Sequence, residues 1–329
     1  MTNDFILYLT ASDVKKLLPM FEAVALMRTA FSQLSAGKVD SPVRLNINIA
    51  REGKALFMPV YSSDISAMSV KTVSVTPSNL KNSLPLIHAM VSLFDTETGQ
   101  QTALLDGEYL TALRTGAASG LATDLLARKD AKTAFIFGAG AQAETQIAAL
   151  LAVRKLSHVS IFDPDFAKAE KLAQKIVTEF SVGCAAVQNL TNLAKADVIC
   201  TATTASNPVF KPELISPGTH INGIGSYTPD MCEIPAATIG AAKVFVDQRA
   251  ACLSEAGDIV NAIKTGFISD EEKLPEIGEL IERIVPGRKS KNEITVFKSV
   301  GNAVQDLYCA QAIYAKARKR GMGLKLPRE

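Results

Sequence analysis

Three small residues, Gly138, Gly140 and Ala143, have the spacing of a loop that holds a pyrophosphate group. They follow the apolar run 135–137 and precede a segment, 141–153, with apolar residues at helical spacing. In such a strand–turn–helix unit, the first glycine permits a tight turn and the second lets the backbone approach the phosphates. The third small residue packs the helix on the strand, and the helix N-terminus offers N–H groups to the anion. The pattern predicts a dinucleotide-binding site.

An acidic residue lies where such a site needs one. The strand-like run 159–162 ends at Asp163, which is 25 residues after Gly138 and near the offset of about 20 residues for an acid that binds the adenosine ribose. A carboxylate there accepts hydrogen bonds from the ribose hydroxyls and repels a 2′-phosphate, which favours NADH. Lys168 and Arg154 are cations that could still reach such a phosphate, so NADPH stays open. The competing interpretation of Asp163 is an N-cap for the next helix.

Three isolated cations lie in apolar or small-residue surroundings: Arg44, Lys71 and Arg114. Charged side chains are seldom buried without a partner. One interpretation is three independent ion pairs or side chains that extend to solvent. The other is a cationic pocket for a small carboxylate, in which arginine supplies bidentate contacts.

The elements that position these residues follow two different patterns. Residues 42–94 alternate like strands with no helix between them, which predicts an antiparallel or mixed sheet. From Lys132 onwards, strand and helix patterns alternate, which predicts a parallel, doubly wound sheet. The long helical segment 109–127 is rich in small residues that permit close packing or the approach of a ligand. We therefore predict an α/β protein with a Rossmann-type domain, 119–301, and a discontinuous α+β domain, 1–118 with 302–329.

The composition excludes several function classes. Of the 329 residues, 47% are hydrophobic and 21% are charged, and the formal net charge is +2, so nothing favours nucleic acid or an anionic membrane as a partner. No apolar run is long enough for a membrane helix, and the N-terminal segment lacks the pattern of a signal peptide. The five cysteines are scattered and the three histidines are far apart. We expect reduced thiols, no metal site and a cytoplasmic location.

Six motifs together resemble the ornithine cyclodeaminase/μ-crystallin superfamily over essentially the whole chain. They are LFMPVY (56–61), SVKTVSV (69–75), ALRTGAASGLAT (112–123), FGAGAQA (137–143), NGIGSYTPDMCEI (222–234) and TVFKSVGNAVQDL (295–307). The resemblance implies a homodimer of two-domain subunits with a nicotinamide cofactor. The first domain then serves substrate binding and dimerisation.

The resemblance also implies roles for individual residues. The family's carboxylate-binding arginine, active-site lysine and second arginine match Arg44, Lys71 and Arg114, with Lys71 as the catalytic residue. The residues that match cofactor-binding positions of the phosphate loop, the next turns and the segments beside the nicotinamide are Gly138, Ala139, Gly140, Ala141, Gln142, Thr201, Ala202, Thr203, Gly223, Ser226 and Ser299.

Two departures from the cyclodeaminase pattern favour the ketimine reductase branch of the family. Tyr227 stands where cyclodeaminases usually carry an aspartate, and Leu86 stands where they carry a threonine. The resemblance therefore implies NAD(P)H-dependent reduction of a small cyclic imino acid, a ketimine carboxylate. Our preferred substrate is Δ1-pyrroline-2-carboxylate, which gives L-proline, and Δ1-piperideine-2-carboxylate is a further candidate.

In that reaction Arg44 and Arg114 hold the carboxylate, and Lys71 contacts it or donates a proton through water. Burial and the two arginines would lower the pKa of Lys71. Asp230 is either catalytic or a turn residue. The alternatives are an ornithine cyclodeaminase that recycles bound NAD, another amino-acid dehydrogenase of the family, and a μ-crystallin-like binding protein.

Overall fold

The computed structural model describes residues 4–82, 84–269 and 274–328. These residues form two compact units. The first unit runs to Arg114 and resumes at Asn302, and the second comprises Thr115–Gly301. The division falls inside one continuous helix, whereas the sequence pattern places the boundary at residue 118.

The helices and strands are numbered here in chain order. The helices are α1 (Ala11–Leu17), α2 (Met20–Ser35), α3 (Gly107–Leu126), α4 (Ala143–Val153), α5 (Phe166–Phe180), α6 (Ala236–Ala241), α7 (Arg249–Glu255), α8 (Gly257–Lys264), α9 (Ile277–Ile281) and α10 (Ala303–Arg320). The strands are β1 (Phe5–Leu9), β2 (Val39–Asp40), β3 (Leu45–Ile49), β4 (Gly53–Ser62), β5 (Ala67–Val75), β6 (Ile87–Asp95), β7 (Gln101–Asp106), β8 (Thr133–Phe137), β9 (His158–Phe162), β10 (Gly183–Ala186), β11 (Val198–Thr201), β12 (His220–Gly223), β13 (Lys243–Val246), β14 (Thr295–Lys298) and β15 (Leu324–Pro327).

A mixed sheet forms the frame of the first unit. Within the described residues its eight strands lie in the order β15-β1-β7-β6-β5-β4-β2, and β3 also pairs with β4. Strands β4 to β7 are antiparallel neighbours, whereas β1 runs parallel to β7. Helix α10 packs against β4, β5 and α2. The prediction of an antiparallel or mixed sheet from residues 42–94 is therefore correct.

Capping residues fix where several helices begin and end. The Thr10 side chain accepts a hydrogen bond from the Asp13 backbone, and the Asp13 carboxylate accepts one in return, which makes a capping box for α1. Asn302 caps α10, which ends at Gly321 with φ of 64°. The sequence predicts a helix over 274–284, but α9 is shorter. Arg283 beyond it has φ of 60°, a conformation that an α-helix cannot include.

The second unit is built on a parallel sheet. Its seven strands, within the described residues, lie in the order β10-β9-β8-β11-β12-β14-β13, and apolar clusters cover the sheet. This is the doubly wound, Rossmann-type arrangement that the sequence predicts. One row of paired residues crosses the sheet near the carboxyl ends of six strands, and its members in spatial order are Phe162, Phe137, Thr201, Gly223, Lys298 and Val246.

Close packing accounts for Gly116 of α3. A Cβ atom at Gly116 would lie 2.4 Å from the Thr145 carbonyl oxygen of α4.

In the described part of the chain, no helix is long and apolar enough to cross a membrane. All five cysteines are free thiols.

Candidate active site

A buried lysine occupies the middle of the sheet in the first unit. Residues of β5 alternate between the two faces, and Lys71 shares the buried face with Ser69 and Val73. Its neighbours on the adjacent strands are Met58 and Val91, both buried. Lys71 itself is only 2% exposed. The alternation of β5 therefore places an ammonium group among apolar side chains, where it needs a charged partner.

That partner is Asp306 on α10, which also binds Arg114. The Lys71 Nζ atom donates to Asp306 Oδ2 at 2.7 Å, and Arg114 Nε donates to Asp306 Oδ1 at 3.2 Å. A second contact holds the guanidinium group, because Arg114 Nη1 donates to Gln305 Oε1 at 2.6 Å. Arg114 and Asp306 are 5% and 1% exposed. The structure thus brings together two of the three isolated cations around one carboxylate.

The electrostatic balance of this cluster makes Lys71 easy to deprotonate. Burial, followed by the charge of Arg114, lowers the pKa of Lys71 to about 7, although Asp306 opposes the shift. Arg44 contributes a smaller lowering effect. An ammonium group with this pKa exchanges protons near neutral pH. The lowered pKa agrees with the sequence-based expectation, and Asp306 is the residue that sequence reasoning missed.

Arg44 lies at the entry to β3 rather than within a strand. It is partly buried, and its charge acts on Lys71. The structure therefore places all three predicted cations in the first unit, and Lys71 and Arg114 share Asp306 as a partner.

The predicted phosphate loop joins β8 to α4 in the second unit. Gly138 has φ of +94°, and a Cβ atom there would lie 2.7 Å from the Ala202 carbonyl oxygen, so only glycine fits without strain. A Cβ atom at Gly140 would meet nothing within 4 Å. Gly140 and Ala141 are exposed, and Gln142 is the N-cap of α4 with no side-chain capping bond. The N–H groups at this helix end are therefore suited to a pyrophosphate, and the loop fits a dinucleotide.

Asp163 lies beside this loop, at the end of the neighbouring strand β9. Its Oδ2 atom accepts a hydrogen bond from Ala139 N at 2.7 Å, and its Oδ1 atom accepts one from Asp165 N at 2.8 Å. The N-cap of α5 is Asp165, so the competing interpretation of Asp163 as that cap is wrong. The carboxylate is instead fixed against the phosphate loop, where an adenosine ribose would be expected.

The remaining predicted cofactor residues follow the same row of strand ends. Thr201 ends β11 and is followed by Ala202 and Thr203, while Gly223 ends β12. Thr201, Gly223 and Ser226 are buried, whereas Ala202 and Thr203 are partly exposed. The buried members can influence a cofactor through the position of their backbone, and the partly exposed members can contact one.

Ser299 follows β14 and forms a hydrogen bond with Asp247, the residue directly after the neighbouring strand β13. The Ser299 hydroxyl donates to Asp247 Oδ2 at 2.7 Å, and the backbone N–H groups of Val300 and Gly301 donate to the same oxygen at 3.0 and 2.8 Å. Asp247 is completely buried. Sequence reasoning missed this residue, although it directly follows an apolar strand in the way that Asp163 does.

Comparison with known proteins decides the family. The model of the ornithine cyclodeaminase/mu-crystallin family matches residues 6–321. The chain belongs to this family. Family members with similar sequences include the Delta(1)-pyrroline-2-carboxylate reductase of Bacillus cereus, which is 39% identical over 323 residues, 97% of this chain and 99% of the relative.

Solved structures of family members have the same fold. The Delta(1)-pyrroline-2-carboxylate reductase of Thermococcus litoralis, in complex with NADH and L-proline, superimposes with a TM-score of 0.94 at 39% identity and covers 97% of this chain and 99% of that one. An archaeal alanine dehydrogenase dimer with bound NAD gives a TM-score of 0.91 at 31% identity, with coverage of 99% and 100%.

The described residues include Tyr227 and Leu86, at which the sequence departs from the expected cyclodeaminase pattern. Tyr227 is partly buried and packs against the apolar core of the second unit. Leu86 is partly buried, and Asp230 is exposed. The exposure of Asp230 after Pro229 agrees with the turn interpretation of this residue.

Proposed function

We propose that this family member is an oxidoreductase that reduces the C=N bond of a cyclic ketimine carboxylate with NADH, and that Δ1-pyrroline-2-carboxylate, which gives L-proline, is its preferred substrate. The observation that carries the proposal is the end-to-end similarity to the Bacillus cereus reductase, at 39% identity. The relative from Thermococcus litoralis, whose complex contains NADH and L-proline, supports the same reaction.

The charges of the first unit support a carboxylate substrate. Lys71 and Arg114 share one carboxylate, that of Asp306, and Arg44 adds a further positive charge that acts on Lys71. A substrate carboxylate would balance the positive charge by which Lys71 and Arg114 together exceed the single charge of Asp306. The guanidinium group of Arg114 has five N–H donors, and contacts to Asp306 and Gln305 use only some of them. In the proposal the others bind the substrate carboxylate, with Arg44 as its second contact.

Lys71 supplies the proton that reduction of an imine needs. NADH, when bound, supplies the hydride for the imine carbon. A substrate carboxylate close to Lys71 adds negative charge, which raises the pKa of the ammonium group from about 7 and keeps it protonated. Lys71 then donates a proton to the ring nitrogen, directly or through water. Asp306 retains the lysine in place and stabilises its charged form.

The proposal includes a preference for NADH. Asp163 is fixed against the phosphate loop, where its charge would repel a 2′-phosphate. The two cations that left NADPH open have other partners. Arg154 donates to carbonyl groups of Thr123 and Ala127 at the end of α3, and Lys168 pairs with Asp165 at 3.3 Å.

Kinetics with both cofactors test this preference. We expect a higher kcat/KM with NADH in the wild type. Asp163→Ser removes the repulsive charge. It should reduce the ratio of kcat/KM with NADH to kcat/KM with NADPH by about tenfold. Lys168→Ala is the matched control and should leave the preference unchanged. A wild-type preference for NADPH would contradict the assignment of Asp163.

One assay tests the reaction itself. Purified protein should oxidise NADH with Δ1-pyrroline-2-carboxylate, and the six-membered imine should be compared in parallel. The same protein given L-ornithine and NAD⁺ should release no ammonia above background, because cyclodeamination needs several placed acids or bases. Leu86 cannot exchange a proton, and the phenol of a tyrosine has an ordinary pKa of about 10. Ammonia release with proline formation would contradict the proposal.

The proposal also includes a homodimer formed through the first unit. Every residue of β3 is exposed, although Leu45, Ile47 and Ile49 are apolar and 60%, 46% and 40% exposed. An exposed apolar strand of this kind marks an interaction surface, and the related archaeal alanine dehydrogenase is a dimer. Ile47→Lys should yield monomers in light scattering, whereas Ile284→Lys, at an exposed apolar residue of the second unit, should leave the dimer intact.

The location of the protein stays a prediction. Four of the five cysteines are buried, and burial raises the pKa of Cys200 and of Cys232 to about 12. Thiols with such pKa values are unreactive. Reduced structural cysteines are typical of cytoplasmic proteins.

A further inference from the structure

A buried glutamate joins two of the turns at the carboxyl edge of the parallel sheet. Glu233 has no exposed surface, and its carboxylate accepts hydrogen bonds from five donors. Oε1 accepts from Thr203 N at 2.6 Å and Thr203 Oγ1 at 2.8 Å. Oε2 accepts from Gly225 N at 2.7 Å, Ser226 N at 3.1 Å and Thr201 Oγ1 at 3.0 Å. One side chain therefore fixes both the turn after β11 and the turn after β12.

The turn after β11 and the turn after β12 lie so close together that only glycine fits at position 225. A Cβ atom at Gly225 would lie 2.1 Å from the Thr203 carbonyl oxygen and 2.5 Å from Glu233 Oε1. Backbone bonds from Ile224 N and Gly225 N to the Thr201 carbonyl oxygen also join the strand ends. The Glu233 side chain adds to this connection, because it accepts hydrogen bonds from both turns.

A second buried acid fixes Glu233 itself. Asp258 Oδ1 accepts hydrogen bonds from the backbone N–H groups of Glu233 at 2.7 Å and Ile234 at 3.0 Å. Its Oδ2 atom lies 3.0 Å from Lys298 Nζ, in an ion pair in which neither side chain is exposed. Lys298 is the last residue of β14. The network therefore joins the ends of β11, β12 and β14.

These three strands belong to one half of the dinucleotide fold. In a doubly wound sheet, one half holds the adenosine part of the cofactor and the other half holds the nicotinamide part. The phosphate loop and Asp163 follow β8 and β9, which belong to the adenosine half. The turns that Glu233 fixes follow β11 and β12, which belong to the nicotinamide half.

We infer that Glu233 is a positioning residue for the nicotinamide part of the cofactor, which it influences through the turns at Thr203 and Gly225. The inference rests on the proposed function only for the identity of the cofactor. Burying a carboxylate is costly unless it is hydrogen-bonded, and Glu233 has a full set of donors. Burial raises the pKa of Glu233, while Lys298 and the donors of Thr203 oppose that rise.

The test is direct titration of the protein with NADH, followed by fluorescence, which needs no imine substrate. In Glu233→Gln the amide cannot replace the carboxylate. Each carboxylate oxygen accepts hydrogen bonds from at least two donors, and the NH2 group of glutamine, itself a donor, would have to face one of these sets of donors. We expect the Kd for NADH to rise by about tenfold. In steady-state assays the KM for NADH should rise with it, whereas the KM for the imine at saturating NADH should stay within about twofold.

Two further variants distinguish positioning from general destabilisation. Asp197→Asn is the matched control, because Asp197 also accepts hydrogen bonds from two backbone groups, Lys132 N and Thr133 N, and from a threonine hydroxyl, but at the amino ends of β8 and β11. It should lower the melting temperature without changing the Kd for NADH. Thr201→Val removes one donor to Glu233 from a residue with no exposed surface. It should raise the Kd by about threefold.

The outcomes separate the two proposals. An unchanged Kd in Glu233→Gln, or an equal loss in Asp197→Asn, would overturn the positioning role. If Glu233→Gln does not fold, an unchanged Kd in Thr201→Val would overturn it. Tight NADH binding with no turnover of any imine would refute the substrate assignment and leave the role of Glu233 standing. A wild-type protein that binds no NADH would refute both.

Discussion

Two lysines of this chain are almost completely buried, but their pKa values are shifted in opposite directions. Lys71 in the first unit and Lys298 in the second are 2% and 0% exposed, and each faces an aspartate at 2.7 and 3.0 Å. Burial and Arg114 lower the pKa of Lys71 to about 7. Burial also lowers the pKa of Lys298, but Asp258 and Glu233 raise it by more, so it lies above its ordinary value.

The difference lies in the third charge beside each pair. Arg114 adds a positive charge to the Lys71–Asp306 pair, whereas Glu233 adds a negative charge to the Lys298–Asp258 pair. The first cluster therefore favours a bound anion and can release a proton. The second holds a permanent cation that links strand ends. Burial alone therefore does not distinguish Lys71, the proposed proton donor, from Lys298, whereas the sign of the surrounding charge does.

The largest expected effect is the loss of activity in Lys71→Met. Removing a general acid lowers kcat/KM by about 10²- to 10⁴-fold. The free energy of unfolding should change by less than about 1 kcal/mol, because Asp306 keeps Arg114 as its partner. Lys71→Arg keeps the charge but cannot exchange a proton, so it should also be inactive. A fully active arginine variant would show that Lys71 acts as a charge only.

Lys298→Met should lower the free energy of unfolding far more than Lys71→Met does. It leaves the Asp258 carboxylate buried without its ion pair, which costs about 3–5 kcal/mol in the free energy of unfolding. Urea denaturation measures this loss beside that of Lys71→Met. Equal stability losses in the two variants would remove the distinction between the two clusters.

Arg114→Ala removes the positive charge that distinguishes the Lys71 cluster from the Lys298 cluster. Loss of a charge-assisted contact to the substrate carboxylate should lower kcat/KM by the equivalent of about 2–4 kcal/mol. NADH binding should hardly change. Arg128→Ala is the control, since Arg128 pairs with Asp197 in the second unit and should affect stability only. Normal turnover of the imine by Arg114→Ala would contradict the carboxylate contact.

The smallest expected effect is a shift of the pH profile in Asp306→Asn. In the wild type kcat/KM should fall as pH rises above about 7, where Lys71 loses its proton. Because Asp306 raises that pKa, its removal should move the falling limb to lower pH by about 1–3 pH units. Asp64→Asn, at a carboxylate that accepts from the Tyr308 hydroxyl, should leave the limb in place. An unmoved limb in Asp306→Asn would exclude Lys71 as the titrating group.

Stability should depend on pH with opposite sign at the two lysines. The folded pKa of Lys71 is about 7, against an ordinary value of 10.5. Between these values the unfolded chain holds a proton that the native state lacks, so the contribution of Lys71 to the free energy of unfolding increases with pH. The raised pKa of Lys298 gives a contribution that is complete below 10.5 and is lost as pH rises through its folded pKa.

Local patterns predicted the fold class, the phosphate loop and the unusual cations. The loop could be recognised because its small residues have the spacing of a pyrophosphate site, and the positive φ of Gly138 requires glycine there. Lys71 could be recognised because a charge interrupts an apolar strand. The run TVFKSV around Lys298 has the same pattern as MSVKTVSV around Lys71, so the sequence does not separate the two. Their partners, Asp306 and Asp258, come from distant helices. Such pairings depend on tertiary contacts that no local pattern contains.

Arg154 has a consequence for local opening of the second unit. Its guanidinium group donates to the carbonyl oxygens of Thr123, Asp124, Ala127 and Arg128, which surround the C-terminus of α3. Thr123 and Asp124 belong to the last turn of α3, whose carbonyls lack partners within the helix or have few of them, and Ala127 and Arg128 directly follow the helix. Since Arg154 directly follows α4, fraying of α3 requires the end of α4 to release its anchor. The amide protons of both helix ends should then exchange with solvent as one cooperative unit rather than independently.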